Sequence, residues 1–403
     1  MNVVFVASRF PYPPMRGDQV RGFNQLRTLG RRHRVTLIAP APSGDAREAV
    51  AARAAMASIC ARIETFAPRR MRAAMRTVRG LALSRLPLQT LYFCEPELAN
   101  RVARIVEEER IDVAHFQTVR TAPAIEGAGD AATIVDLIDS LALNMARRAR
   151  IDLSPMGVAA RIEARRLERY ERELAGRADR VIVSSRLDAE TIGRFDNLEV
   201  IPNGVDLERF SYAGPERRER ATIVFTGRMG YFPNADAAIW FASEVFPRVR
   251  ERIGEARFIA VGADPSRALK REGRRAGVTV TGYVPSIHEY IATAAVAVAP
   301  MRSGSGIQNK VLEAMAAGAP VVATRYALGG LDATDGKNLL VAENAAEMAE
   351  RVIALIENPA MAAAMGRRGR QLVEERYGWE RAGAELERVY ERAVASGSAM
   401  AIS

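Results

Sequence analysis

Short β-rich runs alternate with longer helical stretches along the chain, and the alternation occurs in two series. The first series comprises NVVFVAS (2–8), HRVTLIAP (33–40), IDVAHFQ (111–117), ATIVDLID (132–139) and DRVIVSS (179–185). These runs are almost continuously apolar, as in strands covered on both faces of a parallel sheet. The first half of the sequence therefore predicts an α/β domain with a doubly wound parallel sheet.

The alternation restarts after a polar, turn-rich stretch. The second series is ATIVFTG (221–227), ARFIAVG (256–262), GVTVTG (277–282), AAVAVAP (294–300), APVVAT (319–324) and NLLVA (338–342). Two Rossmann-like domains in series predict that the carboxyl ends of two sheets face each other across a cleft. We expect an N-terminal domain in residues 1–205, a C-terminal domain in residues 206–378, and a final helix in 379–403 that packs back on the first domain.

Composition limits the partners and the compartment. With 58 basic and 48 acidic residues the net charge is +10, which indicates an anionic partner. Two cysteines, Cys60 and Cys94, and three histidines give neither metal-ligand spacing nor a disulfide framework, so we expect no metal site and a cytoplasmic setting. No run approaches the ~18 apolar residues of a membrane-spanning helix, so any membrane contact is expected to be peripheral.

One basic segment, residues 67–87, contains no acidic residue. It interleaves Arg69, Arg70, Arg72, Arg76, Arg79 and Arg85 with Met71, Met75, Val78, Leu81 and Leu83. A basic amphipathic helix of this kind lies well on an anionic membrane surface. The alternative is an ordinary amphipathic helix packed on the first sheet.

A glycine-rich loop precedes an apolar helix in SGSGIQNKVLEAMAAG (303–318). Gly304 and Gly306 lack side chains where the first amides of the helix are free, so a phosphate fits there. Lys310 is a cation at the end of the helix where the dipole disfavours positive charge, and a bound anion would offset that repulsion. The alternative is that Lys310 binds no ligand and forms an exposed ion pair with Glu313. The helical period predicts a helix from about residue 307 with a buried stripe formed by Ile307, Val311, Ala314 and Met315.

The stretch PMRSGSGIQNKVLEAMAAGAPVVAT (300–324) resembles the donor-binding loop and helix of family-4 glycosyltransferases with the GT-B fold. Around it, VIPNGVD (200–206), FTGR (225–228) and GGLDATDGKNLLV (329–341) occur in the order and spacing of that superfamily. More narrowly, FPYPPMRGDQVRGF, FTGRMGYFPNADAAIWFASEVFP and GIQNKVLEAMA are similar to sugar transferases associated with exosortase and exopolysaccharide gene clusters.

The resemblance implies sugar transfer from a nucleotide-diphosphate donor, with retention at the anomeric carbon and without a metal or other cofactor. It implies that Arg228 forks onto the phosphates and that Glu313 contacts the donor ribose. The residues expected to bind the donor are Gly17, Asp18, Gly227, Gly304, Ser305, Gly306, Ile307, Gln308, Asn309 and Glu313.

Two positions depart from the superfamily pattern. Ser305 stands eight residues before Glu313, where the superfamily has the first of two glutamates, and Pro233 stands where it has a phosphate-binding lysine. We expect Lys310 to replace that missing cation and to act with Arg228 on the leaving diphosphate.

The first domain is expected to supply the acceptor side. Gly17 and Asp18 follow the first strand, where a glycine permits close approach to phosphate; a plain βα turn is the alternative. In DVAHFQ the resemblance implies that His115 or Gln117 closes on the sugar, although a histidine near a strand end is often a packed core residue. The resemblance also implies that acidic residues end TIVDLIDS, with Asp139 on the acceptor side and Asp136 bonding loop amides. Asn203 is expected to shape the hinge.

Three functions are compatible with these features. The first is a retaining glycosyltransferase that extends a saccharide, either free or lipid-linked, at the cytoplasmic face of the membrane. The second is a nucleotide-sugar 2-epimerase of GT-B shape, which needs paired acid and base residues in the first domain that the sequence does not reveal. The third is a non-catalytic basic module for membrane or nucleic acid; no nucleic-acid motif supports it, so no nucleic-acid partner is expected.

Overall fold

The structure is a computed structural model that describes residues 1–67, 70–93 and 95–400. Arg69, Cys94 and residues 401–403, which the sequence analysis included, lie outside the described residues. The chain divides into two compact units, residues 1–202 with 379–403 and residues 203–378. The division falls after Pro202, and the final helix belongs to the first unit.

The sheet of the first unit has seven parallel strands in the order β3-β2-β1-β4-β5-β6-β7. The strands are β1 (Asn2–Val6), β2 (Arg34–Pro40), β3 (Arg62–Phe66), β4 (Val113–Gln117), β5 (Ala132–Ile138), β6 (Arg180–Val183) and β7 (Leu198–Val200). The two strands at the sheet edges, β3 and β7, are the ones that the sequence pattern did not reveal. Both are only partly buried, so neither reads as a continuous apolar run.

Helices cover both faces of this sheet. They are α1 (Gly17–Leu29), α2 (Ala46–Ala57), α3 (Arg70–Leu83), α4 (Leu88–Phe93), α5 (Leu98–Glu109), α6 (Leu141–Ile151), α7 (Pro155–Arg177), α8 (Arg186–Ile192) and the final helix, numbered α17 (Trp379–Met400). One apolar cluster joins α1, α2 and α17 to the sheet, and a second joins α5 and α7 to the other face. Helix α17 therefore completes one face of the first unit.

The sheet of the second unit has six parallel strands in the order β10-β9-β8-β11-β12-β13. All six correspond to apolar runs of the second series: β8 (Glu219–Thr226), β9 (Arg257–Val261), β10 (Val278–Val280), β11 (Ala294–Ala299), β12 (Val321–Thr324) and β13 (Leu340–Ala342). The predicted fold class, two doubly wound parallel-sheet domains, is confirmed.

One continuous apolar cluster forms the core of the second unit. Its helices are α9 (Phe232–Trp240), α10 (Phe246–Arg252), α11 (Arg267–Glu272), α12 (Ile287–Thr293), α13 (Asn309–Ala316), α14 (Arg325–Leu328), α15 (Ala345–Glu357) and α16 (Pro359–Arg376). Across both units, none of the helices in the described residues combines the length and apolar character needed to span a bilayer.

Candidate functional site

The centre of the second sheet is a topological switch point. Strands β8 and β11 are neighbours, but the chain leaves them toward opposite edges of the sheet. In open α/β sheets a crevice forms at the carboxyl ends of such a pair, and ligands bind there. Arg228 follows β8, and the predicted glycine-rich loop follows β11. The two most distinctive predicted features are therefore at adjacent strand ends.

The loop of residues 301–308 contacts residues 324–329 at two points. The Thr324 hydroxyl donates to the Met301 carbonyl at 2.5 Å. Gly304 and Gly306 have φ of 112° and 65°, a region that favours glycine. A Cβ on Gly329 would lie 1.7 Å from the Gly306 carbonyl oxygen, so the loop that contains Gly329 packs directly on the glycine-rich loop.

Helix α13 begins two residues later than predicted, at Asn309 rather than Ile307. Gly306, with its positive φ, cannot belong to a right-handed helix, so Gly306 and Ile307 remain in the loop. Gln308 is the N-cap residue and its side chain makes no capping bond, so the first amides of the helix lack a side-chain partner. The predicted buried stripe is confirmed for Ile307, Val311, Ala314 and Met315.

Lys310 lies in the first turn of α13 with its ammonium group folded back toward the loop. Its Nζ donates to Gln308 Oε1 at 3.0 Å and lies 5.7 Å from the centre of the Phe225 ring. Gln308 Nε2 in turn donates to the Ser305 carbonyl at 3.0 Å. Burial lowers the pKa of Lys310 to about 8, against a smaller raising effect of Glu313. Lys310 is thus tied to the loop rather than projecting into solvent.

Glu313 lies one turn further along α13. Among the described residues it makes no hydrogen bond and no ion pair within 4.0 Å, so the exposed pair with Lys310 does not form. Burial raises the pKa of Glu313, while the charges of Lys310 and Arg209 lower it. Asn309 accepts a hydrogen bond from Asn203 Nδ2 at 3.1 Å, which fixes the start of the second unit to the start of α13.

Arg228 is positioned by an acidic side chain that the sequence analysis did not identify. Its Nε and Nη2 atoms lie 2.9 and 2.7 Å from Asp264 Oδ2. Asn234 Nδ2 donates to the Arg228 carbonyl at 3.0 Å, and a Cβ on Gly227 would meet the same amide at 2.8 Å. Pro233, which stands where the superfamily has a phosphate-binding lysine, lies in the first turn of α9. That position therefore supplies no cation near Arg228.

The first sheet has its own switch point between β1 and β4. Gly17 and Asp18 do not lie in the preceding loop, as predicted, but form the first turn of α1. A Cβ on Gly17 would meet no atom within 4 Å, so the space beside it is open. Gln117, at the end of β4, donates from Nε2 to the Asp18 carbonyl at 2.9 Å. These three residues are therefore brought together.

Two arginines that the sequence analysis missed surround Asp18. Arg9 donates to its carboxylate, and Arg120 Nη1 lies 3.9 Å from the same Asp18 oxygen. The guanidinium groups of both arginines lie over the Phe93 ring, at 5.8 and 4.6 Å from its centre. Arg9 directly follows the first apolar run, so its position next to a strand end was a signal that could have identified it.

The predicted catalytic role of His115 is wrong, because the side chain lies inside the core. His115 is 0% exposed, stacks on Phe5 with ring centres 4.3 Å apart, and bonds through Nδ1 to Tyr390 Oη at 2.8 Å. Burial lowers its pKa to about 4, so the ring is neutral near pH 7. Helix α17, which carries Tyr390, covers this part of β4 and excludes a substrate.

Asp136 and Asp139 have different surroundings. Asp136 is buried, accepts from the Ile138 amide at 3.0 Å and pairs with Arg21 Nε at 2.7 Å, so its predicted structural role is confirmed and extended. Asp139 is partly buried directly after β5; burial raises the pKa of Glu171 to about 8, and the charge of Asp139 adds to this effect.

The turn that carries Asp139 is fixed by two buried acidic side chains. Glu171 accepts from Ser140 Oγ at 2.7 Å and from the Ala142 amide at 3.0 Å. Asp188 accepts from the Ser140 amide at 3.0 Å. Within the part of the chain that the structure describes, no three His, Cys, Asp or Glu side chains are grouped as metal ligands would be.

Two family models match the chain. The model for "Glycosyltransferase Family 4" matches residues 19–209, and that for "Glycosyl transferases group 1" matches residues 220–358. A phosphatidyl-myo-inositol mannosyltransferase of Mycolicibacterium smegmatis is 29% identical over 59% of this chain and 62% of its own length. A GDP-mannose-dependent alpha-(1-6)-phosphatidylinositol monomannoside mannosyltransferase of that organism is 29% identical over 74% of this chain and 81% of its own. The chain thus spans under two thirds of the length of the first of these relatives.

Solved structures share the fold over nearly the whole chain. Sucrose-phosphate synthase from Thermosynechococcus elongatus superimposes with a TM-score of 0.72 at 16% identity, over 98% of this chain and 100% of that one. HepE from Anabaena, solved with UDP and glucose, has a TM-score of 0.67 at 16% identity, over 97% and 100%. Together with the two parallel sheets these likenesses show the GT-B fold, and each of the two units matches a family model of glycosyltransferases.

Proposed function

We propose that the chain transfers a hexose from a nucleoside diphosphate to a saccharide acceptor, with retention at the anomeric carbon and without a metal or other cofactor. One observation carries the proposal: Arg228 and the glycine-rich loop with Lys310 follow β8 and β11, the two strands of the switch point. Names of relatives and neighbours include GDP-mannose and UDP-glucose, which supports a nucleotide-sugar donor.

The chemistry of the leaving group explains these residue types. Cleavage of the bond from the sugar to the diphosphate leaves additional negative charge on the phosphate oxygens. Preorganised cations and amide donors aimed at that charge lower the barrier, and one such group is typically worth about 10²- to 10³-fold in rate. Arg228 supplies a guanidinium fork, Lys310 supplies a point charge, and the start of α13, whose N-cap side chain makes no capping bond, supplies backbone amides.

Other residues complete the proposed donor site. Glu313, which has no partner among the described residues, is free to accept from the ribose hydroxyls. The Ser303 hydroxyl is buried and has no hydrogen-bond partner among the described residues, so a ligand oxygen would satisfy it. Gly304, Ser305, Gly306 and Ile307 bring the loop backbone close to the phosphate and sugar.

The first unit is proposed to bind the acceptor. Asp139 is the acceptor-side carboxylate, and Arg9 and Arg120 add positive charge beside the first turn of α1. Both of the relatives described above carry phosphatidylinositol in their names, which supports an acceptor attached to a lipid. The chain is also proposed to act in polysaccharide assembly, which the resemblance to exopolysaccharide-associated transferases supports. The basic segment 67–87 supports a location at the inner face of the membrane.

A ligand panel and four variants test this function. The melting temperature, measured with UDP, GDP, ADP and dTDP, is expected to rise with at least one of them, because a ligand that binds only the folded state stabilises it. Lys310→Ala and Arg228→Ala are each expected to lower donor turnover by about 10²-fold or more. The exposed residues Lys270 and Arg248 provide matched controls as Lys270→Ala and Arg248→Ala.

The outcomes separate the parts of the proposal. If no nucleotide raises the melting temperature, the donor site is wrong. If Arg228→Ala abolishes turnover while Lys310→Ala leaves it intact, Lys310 does not replace the missing cation.

A further inference from the structure

The outer side of α3 is apolar and uncovered. Met71, Val78 and Leu83 are 80, 72 and 82% exposed, and Met75 and Leu81 are also exposed. Ala73, by contrast, is buried. The helix therefore packs on the first unit through its small residues and leaves its large apolar residues outside. Monomeric proteins rarely leave contiguous apolar patches of this kind without a partner.

A second apolar stretch lies at the start of α7, where the sequence analysis predicted no interaction. Leu153 is 99% exposed, and Met156, Val158 and Ile162 are 56, 63 and 44% exposed. Leu153 precedes the helix, and Val158 and Ile162 are four residues apart, so they lie on one side of it.

Specific hydrogen bonds join the two stretches into one surface. Arg166, one turn after Ile162, donates to the carbonyls of Gly80 and Leu81 at the end of α3, at 3.2 and 2.6 Å. Glu163 accepts from the Leu88 amide at 2.8 Å. The end of α3 is therefore fixed against the first half of α7. We call the exposed residues Met71, Met75, Val78, Leu81, Leu83, Leu153, Met156, Val158 and Ile162 the apolar surface.

The charges around the apolar surface are positive. Arg72, Arg79 and Arg85 are exposed on and after α3, and Arg161 and Arg165 are exposed on α7. Residues 67–93 contain no Asp or Glu. The two acids nearest to the start of α7 are already engaged: Asp152 pairs with Arg148, and Glu163 caps α4. Exposed carboxylates are thus absent from residues 71–93 and 153–165. The exposed Glu97 lies beside Arg72 and Arg76, which offset its charge.

We propose that the apolar surface, formed by α3 together with Leu153 and the first two turns of α7, binds the surface of an anionic phospholipid bilayer. Methionine, leucine and valine side chains enter the boundary between headgroups and acyl chains, and the flanking arginines stay at the lipid phosphates. The proposal rests on the proposed function for the choice of partner and deepens it, because it adds a second, α7-based contact to the basic segment.

A vesicle experiment tests the surface. The full chain is sedimented with phosphatidylcholine vesicles that contain about one third phosphatidylglycerol, and with vesicles of phosphatidylcholine alone. The wild type is expected to bind the anionic vesicles and to lose binding at high salt. The triple variant Leu153→Ser, Met156→Ser, Val158→Ser is expected to bind them at least about five-fold more weakly, since it no longer buries three apolar side chains.

Controls keep the result specific. Val50, which is 68% exposed on α2, provides the matched variant Val50→Ser, and its vesicle binding is expected to equal that of the wild type. Unchanged vesicle binding by the triple variant would overturn the α7 contact. Binding of a single-stranded oligonucleotide, but not of vesicles, that depends on Arg161 and Arg165 would overturn the lipid partner.

Failure of this proposal can be distinguished from failure of the proposed function. Hydrolysis of the soluble donor and the thermal shift by nucleoside diphosphates do not require a vesicle, so the triple variant is expected to retain both at wild-type levels. A wild-type chain that responds to nucleotides but does not bind anionic vesicles would leave the donor site standing and refute the membrane contact.

Discussion

Asp264 holds the guanidinium of Arg228 through a single carboxylate oxygen, Oδ2, which lies 2.9 Å from Nε and 2.7 Å from Nη2. Asp264 itself has φ of 59°, an uncommon conformation for a residue other than glycine. A carboxylate paired with the arginine proposed to bind phosphate competes with that phosphate, because both use the same N–H donors.

Replacement of Asp264 by Asn is therefore expected to strengthen nucleoside-diphosphate binding. A partly exposed ion pair is worth at most ~1 kcal/mol, so the gain is about two- to five-fold in the dissociation constant. Titration calorimetry with the nucleotide that raises the melting temperature measures it. Glu255→Gln, a neutralised and exposed acid in the same unit, serves as the control. Weaker binding by Asp264→Asn would mean that Asp264 contacts the ligand.

Lys310→Met is expected to stabilise the free protein while it lowers turnover. The pKa of Lys310 is lowered from 10.5 to about 8 by burial, so the unfolded chain retains this proton up to a higher pH than the folded chain. The charged form therefore costs stability below pH 8, and this cost disappears as the pH rises from 8 to 10.5.

The expected gain at pH 7 is about 1 to 3 kcal/mol in the free energy of unfolding. Urea unfolding at pH 7 and near pH 10 measures it, and the gain should be smaller at the higher pH. Lys270→Met, at an exposed lysine, should change stability by at most ~0.5 kcal/mol. Equal stability of Lys310→Met and wild type at pH 7 would contradict a buried charge.

Two glycine substitutions separate loop packing from backbone strain. Gly329 and Gly336 both have positive φ, 55° and 73°, but a Cβ meets the Gly306 carbonyl at the first position and no atom within 4 Å at the second. Gly336→Ala should therefore lower the free energy of unfolding by only ~1 to 2 kcal/mol, which is the strain of a non-glycine residue in the left-handed conformation. Gly329→Ala must also displace the glycine-rich loop.

We expect Gly329→Ala to weaken nucleotide binding by about ten-fold or more, because small misplacements of a binding loop are costly. Calorimetric titration of both variants with the same nucleotide makes the comparison. Equal affinities would show that the contact between the two loops does not position the donor site.

The buried pair of His115 and Tyr390 is expected to act on stability alone. Tyr390→Phe removes the hydroxyl that bonds His115 Nδ1 and leaves a buried nitrogen without its partner. The expected loss is about 1 to 3 kcal/mol in the free energy of unfolding, measured by urea denaturation. Donor turnover below the melting transition should match that of the wild type, and a selective loss of turnover would restore a catalytic role for His115.

Glu171→Gln is expected to change the pH dependence of stability. Burial raises the pKa of Glu171 from 4.5 to about 8, so between these values the folded chain holds a proton that the unfolded chain has lost. Wild-type stability should therefore fall as the pH rises from 4.5 to 8, whereas Glu171→Gln has no such proton to lose.

The free energy of unfolding of both proteins is measured at pH 5 and pH 9. The difference between the variant and the wild type should rise by about 1 to 4 kcal/mol, in favour of the variant, from the lower to the higher pH. Glu168→Gln, an exposed substitution on the same helix, should show no such gain. A parallel pH dependence for Glu171→Gln and wild type would mean that Glu171 is ionised at neutral pH.

The strands of the described residues were predictable from sequence except for the two at the edges of the first sheet. Strands β8 to β13 coincide with apolar runs, but β3, with the sequence RIETF, and β7, with LEV, each have one neighbour and partial burial. Such strands need fewer apolar residues, so their pattern merges with that of loops. The start of α13 was predicted two residues too early, because the helical period of the apolar residues extends back to Ile307 although that residue lies in the loop.

Site residues were predictable where they follow a strand directly and unpredictable where a distant segment decides their surroundings. Arg228 and the glycine-rich loop follow β8 and β11, so sequence position alone indicated them. His115 was misassigned because Tyr390, which is 275 residues away, covers it. Asp264 was missed for a similar reason, because its partner Arg228 belongs to another strand end and only the pairing of β8 with β9 brings them together.

Helix α17 affects the order in which the chain can fold during synthesis. Its buried residues Leu386, Val389 and Tyr390 belong to the same apolar cluster as Val3 and Phe5 of β1. A ribosome makes the first strand before residues 203–378 and these partners after them, so the part of the first sheet that α17 covers stays exposed while the second unit is produced. The second unit, which is continuous in sequence, can therefore complete its core before the first, and the part of the chain translated first depends longest on protection from aggregation.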